Sequence, residues 1–403
     1  FGIYLYLLGL YVFSLFSPKA KKWIVGRKDW RVLVKKELSS TGNFLGKTIW
    51  IHAASFGEFE QGKPVIDALF LKYPDHRIVL TFFSPSGYES KKGYAKVHHV
   101  FYLPMDSIRN SNDFIDILKP DVAVFVRYEF WYNYLRACFK RNVPVFYFSS
   151  SFRENQLFFK PIGIWFRNHL KKCTKVLVRD PESASLLDAI KVPNEIGGDT
   201  RFASVLYNQK LCVKFDEIAH FVGEDKVIVF GSTWPADESL ILNWLNSLKQ
   251  LAVKIIIVPH EINDARIKQF QKYASFNCGI YSENKYNDTQ ILLVDAMGLL
   301  KNLYQYSQLN YIGGGFGQGI HNLLEPAVWG KKILFGPKHS KFAEAGELIE
   351  MGVGQCIEKE ELFTSVMDEN MLKISENNSI VTEKIKKYFE SHEEAPSIVV
   401  DQV

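Results

Sequence analysis

From residue 48 onward, short runs rich in Val, Ile and Phe alternate with longer helix-like stretches. IWIHAAS, RIVLTFF, HHVFYLP, VAVFVRY, VPVFYFSS and KVLVRD are apolar nearly throughout, which predicts strands buried on both faces. EQGKPVIDALFLKY and EFWYNYLRACFKRN lie between them as helices. Strand–helix alternation implies right-handed βαβ units and a parallel sheet covered on both sides. The pattern lapses around LYNQKLCVKFDEIAHFVGED and restarts with KVIVFGST, KIIIVPH, ILLVDA, LNYIGGG and KKILFGP. The prediction is α/β: two Rossmann-like domains over residues 39–205 and 225–403, with 206–224 as a linker. The last helical stretch, VTEKIKKYFESH, is a candidate to pack back on the first domain.

The segment ahead of this pattern differs. FGIYLYLLGLYVFSLFS is apolar or aromatic almost throughout, and PKAKKWIVGRKDWRVLVKKE after it is strongly basic. About 16 apolar residues make a helix of roughly 24 Å, somewhat short of a hydrocarbon core about 30 Å thick. The charges follow the apolar run, opposite to a signal peptide, and no small-residue cleavage site follows. Residues 1–38 are therefore expected to anchor a catalytic body on the cytoplasmic side of a membrane, with the basic residues drawn to anionic headgroups.

Composition narrows the rest. The chain has 403 residues, more than one core usually organises, and its net charge of +5 argues against a bulk nucleic-acid binder. Five scattered cysteines with no CxxC pair suit a reducing compartment and speak against a disulfide framework or a zinc site. The His98–His99 pair lies in a strand-like run, which sends the two rings to opposite faces, so no metal site is expected there.

In open α/β sheets, ligands bind beyond the carboxyl ends of the strands, and the unusual polar clusters here follow strands. HAASFGE leaves a strand and opens a helix with Glu58, where free N–H groups and the helix dipole favour a carboxylate's charge. Such a residue is either a base kept ionised or an ordinary first-turn acid. In VRYEFWYN, Glu129 either begins an amphipathic helix or bonds a sugar hydroxyl while the neighbouring rings pack on the sugar's apolar face. FGSTWPADE offers the hydroxyls of Ser232 and Thr233 to a phosphate or to a helix cap. YIGGGFGQGIHNLLEPA has five glycines in seven residues, which let the backbone approach a ligand. A helix starting near His321 or Asn322 then offers N–H groups to an anion, with Glu325 one turn in, within reach of ribose hydroxyls. Gln318 breaks GxGxxG, and no GK[ST] is present, so a nicotinamide enzyme and a P-loop ATPase both lose ground.

HxxSxGE, TxxSPSGYE, YLPMD, RYEFWYN, GGDTRF, GSTWPADE and GGGFGQGIHNLLEPAVWGKKILFGPKHSKF occur in this order. The series resembles the 3-deoxy-D-manno-octulosonic acid (Kdo) transferases of the lipopolysaccharide inner core, over nearly the whole chain. The resemblance implies a GT-B fold, CMP-Kdo as donor, the lipid A precursor as acceptor, and inversion at the anomeric carbon without metal or cofactor. It implies that Glu58 is the general base and Glu129 an acid needed near the acceptor. Ser55, Gly57 and Ser84 fall on the acceptor side. Ser232, Thr233, His260, Gly314, Gly315, Asn322 and Glu325 fall on the donor side. Two departures stand out. Trp234 replaces the histidine of GSTH, and Pro259-His260-Glu261 replaces Pro-Arg-His, which leaves Lys338, His339 or Arg201 to supply the missing cation. Competing readings are a GT-B enzyme for another nucleotide sugar, a membrane-tethered dehydrogenase, and a non-catalytic binding module.

Overall fold

The computed structural model describes residues 9–40, 42, 44–374 and 379–403. Its N-terminal part includes the helices α1 (Pro18–Val25) and α2 (Trp30–Ser40). Ser17 caps α1 by accepting the Ala20 N–H, and Pro18 suits a first position that needs no amide donor. Trp23, Trp30 and Val34 are buried, whereas Tyr11, Val12, Phe13, Leu15 and Phe16 are each more than half exposed. Residues 1–8 of the expected anchor lie outside the described residues. Among those described, no helix is long and apolar enough to cross a membrane.

The chain divides into two compact units, residues 1–204 with 392–403, and residues 205–391. The first holds a seven-stranded parallel sheet of β1 (Thr48–His52), β2 (Arg77–Phe82), β3 (His99–Tyr102), β4 (Val122–Val126), β5 (Val145–Ser150), β6 (Lys175–Val178) and β7 (Asn194–Ile196). Its strand order is β3-β2-β1-β4-β5-β6-β7. The strands are apolar throughout because alternate residues feed separate cores. Ile49 and Ile51 pack with Val65, Ile66 and Leu69 of helix α3 (Phe56–Lys72). Trp50, between them, packs with Phe114 and with Tyr134 of helix α4 (Tyr132–Lys140). At 25 cal/mol per Å², each such buried ring or branched chain contributes about 1.5–3 kcal/mol.

The stretch expected as a linker is largely helical. Helix α5 (Thr200–Lys210) runs from the first unit into the second, and α6 (Asp216–Val222) follows. In α6, Asp216 and Glu217 occupy the first turn, and Ile218, Phe221 and Val222 are buried at helical spacing.

The second unit holds another seven-stranded parallel sheet: β8 (Val227–Thr233), β9 (Lys254–Pro259), β10 (Cys278–Ile280), β11 (Ile291–Leu293), β12 (Leu309–Ile312), β13 (Lys332–Phe335) and β14 (Gly354–Cys356). Their order is β10-β11-β9-β8-β12-β13-β14. Helix α7 (Pro235–Ser247) covers it with Ile241, Trp244 and Leu245 against Ile228 and Phe230. Helix α8 (Leu324–Ala327) has only four residues. The final helix, α9 (Ala395–Gln402), belongs to the first unit and packs on α3, with Val399 and Val400 in the same core as Ile66.

Each sheet reverses direction once, between β1 and β4 in the first and between β8 and β12 in the second. The loops leaving these strands are therefore where each unit forms a ligand crevice.

Candidate active site

The first switch point brings Glu58 and Glu129 together from opposite sides of the reversal. Ser55 ends the β1 loop in extended backbone (φ −138°, ψ 179°), and α3 opens with Phe56, which puts Glu58 in its first turn. SFGE has the sequence form of a capping box, but the bonds differ. The Ser55 hydroxyl donates to the Glu58 carboxylate instead of capping a backbone N–H. The other carboxylate oxygen lies 3.8 Å from the Arg127 guanidinium.

Arg127 was not singled out by its sequence. It follows β4 with φ of 65°, a costly conformation for a side-chain-bearing residue. Its N–H donates to the Phe148 carbonyl (2.8 Å), and its carbonyl accepts from the Ser150 hydroxyl, so β5 holds the turn from both ends. The turn delivers Glu129 ahead of α4, which starts only at Tyr132, so Glu129 does not begin a helix. Burial, then the Glu58 charge, raises its pKa to about 7, with Trp131 and Arg127 opposing. A carboxyl group half protonated at neutral pH thus stands beside a second carboxyl group.

The aromatic residues after Glu129 pack into the loop's own support and stay partly exposed. Phe130 packs on Tyr147 and Phe158, and Trp131 on His52 and Phe83. The Trp131 indole donates to His52 Nε2 (3.0 Å), while His52 Nδ1 meets the Thr81 hydroxyl at 2.9 Å. His52 is buried, which pushes its pKa down to about 3, so it is a neutral strut tying the β1 exit to the β4 exit.

The acceptor-side expectations fare unevenly. Ser84 caps the helix Pro85–Lys91, and its N–H reaches back to the Ala54 carbonyl (2.7 Å), so it braces the β1 loop. Gly57 has no positive φ, so no left-handed turn accounts for a glycine at this position. A Cβ there would meet only the Ser55 hydroxyl, at 3.7 Å, so the glycine leaves open surface beside Glu58.

At the second switch point, a register shift between Gly231 and Thr233 carries Ser232 at φ 53°. Thr233 is buried, and its hydroxyl donates to Glu238 (3.1 Å), which pairs with Arg266 at 2.8 Å. That hydroxyl is committed inside the protein and is not offered to a phosphate. Asp237, also buried, accepts the Trp234 N–H (2.9 Å), the Gly314 N–H (2.8 Å) and the Tyr311 hydroxyl (2.7 Å). It ties the start of α7 to the glycine turn and occupies the Gly314 amide.

The glycines serve packing as well as approach. A Cβ on Gly315 would fall 2.5 Å from the Gly336 backbone, and one on Gly313 2.5 Å from the Ser232 carbonyl. Gly314 (φ 93°) and Gly319 (φ 115°) supply the left-handed positions of the turn. The following helix begins at Leu324, so Glu325 lies in its first turn rather than one turn in. Asn322 accepts the Leu324 N–H (3.0 Å) and donates to Glu325 (3.2 Å), so the two expected donor-side residues meet each other.

Above this turn three rings stack. His260, at the β9 exit, lies 4.7 Å from Trp234 and 4.2 Å from His321 between ring centroids. Neither Trp234 nor His321 was expected to act. Of the candidate replacements for the missing arginine, Arg201 belongs to the first unit and is locked to Asp199 (2.7 Å). Lys338 braces the glycine turn through the Gly317 carbonyl (2.7 Å), leaving ammonium protons for an anion, and His339 packs on Phe335.

The family model for 3-deoxy-D-manno-octulosonic-acid transferase (kdotransferase) matches residues 28–204. A 3-deoxy-D-manno-octulosonic acid transferase of Aquifex aeolicus is 30% identical over 333 residues, covering 79% of this chain and 85% of that one. The chain belongs to the Kdo transferase family. Its counterpart in Chlamydia muridarum is 28% identical, over 86% of this chain and 83% of that one. Among solved structures, UDP-GlcNAc 2-epimerase from Neisseria meningitidis shares the fold, with a TM-score of 0.63 at 15% identity, over 88% of this chain and 99% of that one. The Kdo transferase described here is thus a glycosyltransferase with the GT-B architecture of two parallel-sheet units.

Proposed function

We propose that this Kdo transferase moves Kdo from CMP-Kdo to the lipid A precursor lipid IVA, with inversion and without a metal or other cofactor. The juxtaposition of Glu58 and Glu129 at the β1/β4 switch point carries the reading. Glu58 takes the proton from an acceptor hydroxyl as its oxygen bonds to the anomeric carbon. The bond from that carbon to the phosphate oxygen breaks, its electron pair leaves with CMP, and the glycosidic bond forms on the opposite face. Ser55 and Arg127 orient the Glu58 carboxylate, and Glu129, holding its own proton near neutral pH, donates to or positions the acceptor. Ser232, His260, Gly314, Gly315, Asn322, Glu325 and Lys338 gather at or beside the β8/β12 switch point, where the donor nucleotide is assigned.

CMP is already a good leaving group, so the protein's share is deprotonation, orientation and charge compensation. The exposed apolar residues 11–16 and the basic residues behind them support residence on the cytoplasmic leaflet of an inner membrane. No nucleic-acid partner is assigned.

The test joins product mass to one substitution. The wild-type protein, given CMP-Kdo and a tetraacyl disaccharide, should add the mass of Kdo, and CMP should inhibit where UDP does not. Glu58→Gln keeps size and most hydrogen bonding but cannot accept the proton. Turnover should fall about 10²–10⁴-fold with unchanged CMP affinity and no loss in thermal midpoint. Normal turnover in Glu58→Gln would return this residue to a mere helix-starting acid.

A further inference from the structure

The Trp234 indole N–H donates to His321 Nε2 at 2.9 Å, with the two rings nearly coplanar at 7°. An imidazole nitrogen that accepts carries no proton, so the neutral ring must bear its hydrogen on Nδ1. His321 Nδ1 has no hydrogen-bond partner among the described residues, and it is not fully enclosed by protein. It is therefore an unspent and accessible donor. The ring's Cδ2 edge borders the glycine turn, 3.5 Å from where a Gly314 Cβ would stand, which leaves Nδ1 on the edge turned away from that contact.

We propose that Trp234 is a positioning residue: its indole fixes the His321 tautomer so that Nδ1–H points a hydrogen bond at the phosphate of the donor nucleotide. The inference rests on the donor reading of the β8/β12 switch point given above. The tautomer matters because the ring is uncharged. Burial, with the neighbouring His260, pushes the His321 pKa down to about 4. A neutral imidazole has one N–H and one lone pair. With the proton on Nδ1 it donates to an anion, and with the proton on Nε2 it turns a lone pair toward that anion. Trp234 stands where the family motif carries histidine, so this chain sets its tautomer with a group that can only donate.

Trp234→Phe keeps a ring in the stack and removes only the N–H. In full-length protein labelled with ¹⁵N-histidine, the His321 signals, assigned by their loss in His321→Asn, should show Nδ1 protonated and Nε2 bare. In Trp234→Phe they should show a mixture of tautomers. Calorimetric CMP affinity should then fall about fivefold, following the fraction of competent tautomer, while cytidine, which lacks the phosphate, binds as before. His321→Asn places an amide N–H near the Nδ1 position whatever stands at 234, so adding Trp234→Phe to it should cost no further CMP affinity. An unchanged tautomer in Trp234→Phe, or equal losses for CMP and cytidine, would overturn the inference. So would a full effect of Trp234→Phe on the His321→Asn background. Failure of the wild-type protein to bind CMP at all would instead sink the donor reading.

Discussion

Glu129 shows how one residue's surroundings set a pH dependence. Its folded pKa of about 7 stands above the ordinary value of 4.5, chiefly through burial and then through Glu58. A raised carboxyl pKa means that the folded state holds the proton more tightly. Its stabilising contribution is complete below about pH 4.5 and is lost as pH rises through about 7. Glu129→Gln, which mimics the protonated form, should match wild-type stability at pH 4 and exceed it at pH 8 by up to about 3 kcal/mol, read from urea midpoints. Because Glu58 is the second cause, Glu58→Gln should lower the Glu129 titration midpoint, followed by carboxyl ¹³C shifts. A midpoint left near 7 would mean that the two carboxyl groups do not sense each other. Both glutamates were legible in the sequence because each follows an apolar strand run, where chemistry collects. Arg127 was not, since nothing in VRYEF says that its backbone takes a positive φ and turns the side chain onto Glu58. Thr233 misled for the converse reason. A hydroxyl at a strand exit looks available until Glu238, five residues on, is seen to claim it.

Elements were easier to read than their ends. Uninterrupted Val and Ile runs announced the strands because alternate positions feed cores on both faces of a parallel sheet. The helices of 206–224 were missed because they break the strand–helix alternation on which the reading relied, although Ile218, Phe221 and Val222 carry helical spacing. The start of α8 was placed too early because Asn322 resembles a first-turn residue, whereas its side chain caps the chain ahead of Leu324. The glycine turn gives a prediction at this scale. Gly315→Ala drives a methyl group into the Gly336 backbone, where nothing can yield cheaply, and should destabilise the second unit by about 1–3 kcal/mol. Gly317→Ala has its nearest neighbour at 3.8 Å and should leave the thermal midpoint within a degree or two of wild type. Equal midpoints for the two variants would show that the β12 and β13 exits are not held that closely.

For the whole molecule, the N-terminus divides into a part the fold needs and a part it does not. Deleting residues 1–16 removes no buried side chain among those described and should release the protein from anionic vesicles with CMP affinity intact. Deleting residues 1–34 takes Trp30 and Val34 from the first unit's core and should leave that unit unfolded by near-ultraviolet circular dichroism. Persistent membrane binding after the shorter deletion would move the attachment elsewhere. The C-terminus carries the opposite dependence. Residues 392–403 complete the first unit, where Val399 and Val400 lie in the core with Ile66, and Lys72 pairs with Asp401 at 2.6 Å. On the ribosome this order becomes a delay. All seven strands of the first sheet are made by residue 196, yet the apolar face of α3 has no α9 to cover it until residues 395–402 are made. At roughly 5–20 residues per second, that interval is on the order of 10–40 s. For that time the nascent enzyme carries a greasy stripe suited to a holding chaperone, and a stalled or prematurely terminated transcript yields a first unit that can be captured but never closed.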